Sequence, residues 1–172
     1  MKKLVGLGLL LLTGCGMAPD FLIASESPSP QAPAPAPPSA LVQMETTAHQ
    51  RINAIRVEQG LKPLKLNAEL TQVARAYSQK MAQRNFFAHT SPDGDTVADR
   101  VRGVGVAYRV VGENLFKGTN IPNPPQTAVE GWMQSPGHRR NILLTSYTEA
   151  GMGVWRTGNT YYFTQVFLRP LF

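Results

Sequence analysis

Residues 161–168 read Tyr161-Tyr162-Phe163-Thr164-Gln165-Val166-Phe167-Leu168. Successive side chains of a strand point to opposite faces. Here Tyr161, Phe163 and Phe167 fall on one face, and Tyr162, Val166 and Leu168 on the other. Both faces are apolar, so the sheet needs cover on both sides. Gly151 to Arg156 reads as a partner strand, joined through the turn residues Thr157-Gly158-Asn159 as a hairpin. Helical patterns precede these strands. Helices early, antiparallel strands late and a doubly covered sheet predict an α+β fold, a three-layer α-β-α sandwich with a mainly antiparallel central sheet.

Upstream, Met44, Ala48, Ile52 and Ile55 recur at helical spacing, so residues 41–59 form an amphipathic helix that stops at Gly60. Asn67 is placed to cap a second helix whose apolar face is Leu70, Val73, Ala74, Tyr77 and Met81. Asn85 to Gly94 is a loop, and Thr96 with Asp99 forms a capping box for a short helix. Tyr108 to Val111 has strand composition and leads into an irregular Gly112-Glu113-Asn114. Thr127 and Glu130 suggest a second capping box, with Val129, Trp132 and Met133 on the buried side. Pro136-Gly137 is expected to end that helix and His138 to open another.

Three segments divide the 172 residues. Residues 1–14 read as a signal peptide, with Lys2 and Lys3 before an apolar run from Leu4 to Leu12. Leu12-Thr13-Gly14-Cys15 resembles the bacterial lipobox, which makes Cys15 the expected lipidation site and the membrane the first partner. Gly16 follows it, where an aspartate would signal retention at the inner membrane, so outer-membrane sorting is expected in a cell with two membranes. Residues 15–40 are a Pro/Ala-rich tether with too little apolar content to repay ordering. Residues 41–172 are one domain.

That domain carries 15 of the 17 basic and 9 of the 11 acidic residues, and so all of the net +6. The cations are scattered, without a basic stripe and interleaved aromatics, which argues against nucleic acid. The single cysteine, Cys15, excludes an intramolecular disulfide and a cysteine zinc site.

His89, Glu113 and His138 stand apart in sequence among glycine, proline and large apolar residues. A metal site, a general acid/base pair and a buried polar network all use this set. Asn114 and Asn141 read as backbone-satisfying residues, and His49 as a solvated surface residue.

Asn85-Phe86-Phe87-Ala88-His89, Gly112-Glu113-Asn114-Leu115, and Trp132 followed by Ser135-Pro136-Gly137-His138 resemble, in order, three signatures of the CAP superfamily. Gly151-Met152-Gly153-Val154 and Thr164-Gln165-Val166-Phe167 are similar to its closing strands. The match spans roughly Ala48 to Phe167 and points to the bacterial branch, often described as SCP-domain proteins. The resemblance implies an α-β-α sandwich whose cleft is lined by His89, Glu113 and His138 and holds a divalent metal, often zinc, in several members. Many eukaryotic members carry a second glutamate where this chain has Ser135.

The expected ligand cleft is therefore His89, Glu113, Ser135 and His138, with His89 and His138 as metal ligands for zinc or another divalent ion. The missing second glutamate favours a non-catalytic binding module for a small ligand, lipid or cell-wall component, with no cofactor required; separately, the domain is expected to be monomeric. The alternative is a metal-assisted hydrolase of peptides or envelope components in which Glu113, His89 and His138 do the chemistry.

Overall fold

The structure, a computed structural model, describes residues 38–172. The predicted signal segment, Cys15 and most of the tether lie outside the described residues. Helix α1 spans Pro38–Glu58, strand β1 Lys65–Leu66, α2 Ala68–Gln83, α3 Val97–Gly103 and β2 Tyr108–Thr119. Then follow α4 Pro124–Gln134, α5 Pro136–Leu143, β3 Glu149–Thr157 and β4 Thr160–Pro170. The sheet order is β1-β3-β4-β2, parallel between β1 and β3 and antiparallel elsewhere.

The alternation in β4 sorts the helices into two layers, as its sequence requires. Phe163 and Phe167 pack with Ala48 and Ile52 of α1, Val129 and Trp132 of α4 and Ile142 of α5. On the other face Val166 and Leu168 pack with Leu70, Val73 and Ala74 of α2 and Val101 of α3. The result is an α+β sandwich with its mixed, mostly antiparallel sheet in the middle. Helix α2 lies directly on β3. A Cβ at Gly151 would collide with the backbone of Leu70 and Thr71, and one at Gly153 with that of Ala74 and Arg75.

The caps at the second and third helices match the sequence reading. Asn67 accepts from Leu70 N at 2.9 Å, and Thr96 and Asp99 form a reciprocal capping box. Three expectations are corrected. First, Gly112-Glu113-Asn114 is not irregular. Strand β2 runs through it, paired with β4 from Tyr108 to Thr119, because continuous pairing with a buried neighbour overrides the weak strand propensity of these residues.

Second, α4 begins at Pro124, not at a Thr127 cap. Pro124 and Pro125 occupy the first turn, where a missing N–H costs nothing. Thr127 is thus inside the helix and donates to Pro122 O, while Glu130 accepts from Gln126 in solvent. Third, Pro136 opens α5 for the same reason, which makes His138 the third residue of that helix.

Candidate functional site

Strand β2 is at an edge of the sheet, so its residues are reachable around the rim. Side chains alternate along it, which sends Glu113 toward α3 and Asn114 toward α5. Glu113 is buried, with 2% of its side chain exposed, and both of its oxygens are held. His89 Nδ1 lies 2.8 Å from Oε1, and Arg100 Nη2 donates to Oε2 at 2.7 Å. A carboxylate paired with a guanidinium only accepts, so the proton of the first contact belongs to His89 Nδ1. In the neutral ring that tautomer leaves Nε2 without a proton, on a ring that is 59% exposed.

Arg100 organises this side of the cleft. It donates through Nη1 to Asp95 O and Oδ2 at 2.9 and 3.0 Å, and through Nη2 to His89 O at 3.2 Å. Its guanidinium lies 3.4 Å from the Tyr77 ring centroid. Tyr77 in turn donates from its hydroxyl to Ala88 O at 2.6 Å, and Phe86 meets its ring edge-on. The loop that carries His89 is therefore fixed at two carbonyls, Ala88 and His89.

Asp95 closes the network, contacting Lys80 at 2.6 Å and accepting from Ser91. Burial alone would raise the Asp95 carboxyl, but hydrogen bonds from Lys80, Ser91 and Arg100 outweigh it and hold it well below the usual carboxylate range.

The opposite wall comes from α5. Asn114 Nδ2 donates to His138 O at 3.1 Å. Asn141 Nδ2 bridges Glu113 O at 3.2 Å and Asn114 Oδ1 at 2.9 Å. These amides tie the first turn of α5 to the strand beside Glu113, the backbone role expected of them. The His138 ring is half-buried. Burial lowers its pKa and the neighbouring His89 lowers it further, which favours the neutral ring. Ser135 is half-buried at the α4–α5 junction and makes no capping bond with its side chain.

Thus the structure brings His89 and Glu113 into contact, sets His138 across the strand edge from them, and places Ser135 at the entrance to His138's helix. Sequence reasoning missed Arg100, Tyr77 and Asp95. The Thr96 capping box located α3, but nothing local distinguishes Arg100 from the other scattered cations. Asp93 and Asp95 serve ion pairs, and Asp99 the cap of α3. His49 is not solvated. It is half-buried on α1 with Nε2 at 3.1 Å from Asn53 Nδ2, and its Nδ1 is unpartnered. Burial is the larger influence on the ring and lowers its pKa.

For a metal, the donor set is sparse. Among the described residues no three His, Cys, Asp or Glu side chains are grouped to hold one. Glu113 has no free oxygen. His89 and His138 are the imidazoles left over, and Glu113 orients the His89 ring from behind through Nδ1.

Residues 49–167 match the cysteine-rich secretory protein family, CAP. The chain is 38% identical over 131 residues to YkwD of Bacillus subtilis, covering 76% of this chain and 49% of that protein. It is 35% identical to the B. subtilis membrane protein YlbC over 74% of this chain and 36% of that protein. It therefore spans about half the length or less of these curated relatives.

Among solved structures, an extracellular SCP-domain protein of Bacillus anthracis superposes with a TM-score of 0.67 at 31% identity, over 80% of this chain and 45% of that one. An outer surface protein of Borrelia burgdorferi shares the fold, with a TM-score of 0.68 at 22% identity, over 74% of this chain and 93% of that one. With the two helical layers on one mixed sheet and these matches together, the chain belongs to the CAP family of cysteine-rich secretory proteins, in its bacterial branch.

Proposed function

We propose that the protein is a membrane-anchored extracytoplasmic binding module. Its cleft of His89, Glu113, Ser135 and His138 takes a small ligand, lipid or cell-wall fragment, with zinc or another divalent ion as an optional occupant. The observation that carries this reading is the full occupation of Glu113. With Arg100 on one oxygen, His89 on the other and 2% of its side chain exposed, its carboxylate is spent on holding the site together rather than presented to a substrate or water. What remains for a ligand is recognition chemistry, the exposed imidazole edge of His89 and the ring of His138, whose protonation burial disfavours.

The surface location is supported by the extracellular B. anthracis relative and the B. subtilis membrane protein. The anchor is supported by the lipobox-like residues before Cys15. No helix among the described residues is long and apolar enough to cross a membrane. A metal at His89 and His138 would supply Lewis acidity to a bound oxygen.

A metal-assisted hydrolase is the second reading. The His89–Glu113 pair favours it, since a carboxylate that orients an imidazole strengthens it as a base. One experiment separates the two. A peptide library is incubated with the protein with and without chelator, beside a variant with His89→Ala and His138→Ala, and zinc-dependent thermal shifts are recorded in parallel. The binding module gives a zinc shift that the variant loses, and no turnover. Chelator-sensitive turnover that disappears in the variant overturns it.

A further inference from the structure

The strands β1, β3, β4 and β2 all end together on the side of the sheet away from the β3–β4 turn. A cleft of about 710 Å³ opens there, within the size range of small-ligand sites. Lys62, Lys65, Arg109 and Arg169 line it, all exposed, and Glu149 is the acidic side chain among its walls. Glu149 is already engaged by Asn67 Nδ2 at 2.7 Å. None of the residues of the His89 cleft belongs to it.

The floor of this cleft is Arg56, 2% exposed. Its guanidinium donates to four carbonyls, those of Lys62, Ile142, Leu144 and Tyr147, and meets no carboxylate. Two of these carbonyls lie at the C-terminal end of α5, whose dipole offsets about half a charge. The remainder stays uncompensated beneath the cleft, where low dielectric lets it act on whatever enters. Arg51, Lys117, Arg139, Arg140 and Arg156 elsewhere in the domain also have no carboxylate partner among the described residues, but five other cations are neutralised directly. Arg75, Lys80, Arg84, Arg100 and Arg102 are all paired with Asp or Glu. Among the described residues, the five cations of this cleft have no such partner.

We propose that this strand-end cleft is a binding site for a multiply charged, phosphate-bearing anion. The cations come from α1, from β1 and the loop before it, and from the ends of β2 and β4, so an anion of several charges engages more of them than a single carboxylate does. Phosphate groups pack that charge into the available volume, and arginine forks match their oxygens. The source is either a free phosphate ester or a phospholipid headgroup. This site stands independently of the function proposed for the histidine cleft.

The test is titration of tripolyphosphate into the purified full-length protein in nonionic detergent, followed by calorimetry. Saturable binding of one anion per chain is expected, weakening as salt rises. Lys65→Glu with Arg169→Glu is expected to weaken it at least about tenfold, and Arg139→Glu with Arg140→Glu, the same charge change on α5, by less than about twofold. If the strand-end reversal unfolds, Lys65→Gln with Arg169→Gln replaces it. Competition by dihexanoylphosphatidylglycerol assigns the site to a headgroup, and its failure to compete assigns it to a free phosphate ester. Non-saturable binding, equal loss in both charge-reversal variants, or unchanged affinity in the strand-end variant overturns the proposal.

Discussion

Arg100 and Glu113 form a buried ion pair at 2.7 Å, with 11% and 2% of their side chains exposed. Two charges taken out of water at the lip of a cleft hold their shape only while both are present. Replacing Arg100 by Met leaves a buried carboxylate facing an apolar stem. Stability is expected to fall by about 3 kcal/mol in urea denaturation. Glu113→Gln in the same background is expected to recover part of the loss, giving a non-additive double-mutant cycle. Additive effects would show that the pair does not act as a unit.

Asp95, with Asp93 and Asp99, is among the carboxylates whose pairing favours the folded state above the acid range. Its carboxyl is held below the usual range in the folded state, so its contribution is present above the unfolded pKa of about 3.9 and is lost as pH falls toward the folded value. Denaturation midpoints followed down from pH 5 are expected to drop steeply below about pH 4. Asp95→Asn is expected to flatten that limb. A variant with the wild-type acid profile would remove Asp95 from the account.

His49 and His138 act in a higher window. Both pKa values are lowered by burial, so the unfolded chain binds the extra protons first as pH falls below 6.5. Stability therefore declines from pH 6.5 downward until the folded rings titrate. His49→Gln and His138→Gln are each expected to reduce this slope in thermal melts between pH 7 and pH 5. An unchanged slope in both variants would contradict the burial argument.

Gly153 is expected to tolerate no side chain. Its Cβ would meet the backbone of Ala74 and Arg75, which cannot move without lifting α2 off the sheet. Gly153→Ala is expected to cost about 3 kcal/mol or to abolish folding, measured by chemical denaturation. Gly137→Ala, with open space around its Cβ, is the matched control and is expected to fold normally.

The parts of the fold readable in sequence are those fixed by local periodicity. The two apolar faces of β4 sorted the helices into layers, and Asn67 and Thr96 marked helix starts through their own hydrogen bonds. The two-residue strand β1 was not readable, because both of its residues are exposed and it exists only through pairing with β3. The start of α4 was misplaced because the Thr127–Glu130 spacing imitates a cap that the two prolines pre-empt.

At the site, His89, Glu113 and His138 were legible as polar residues in apolar surroundings. Arg100 was not. Its role depends on Tyr77, Asp95 and Glu113 converging from α2, a loop and β2, which no single stretch of sequence displays.

The most direct test of the histidine cleft is long-range proton–nitrogen NMR of the imidazoles, with and without zinc. The geometry predicts that neutral His89 carries its proton on Nδ1, against Glu113, and that zinc perturbs Nε2 of His89 together with the ring of His138. A proton on Nε2 of His89 in the metal-free protein, or zinc shifts that leave both rings unmoved, would contradict the account.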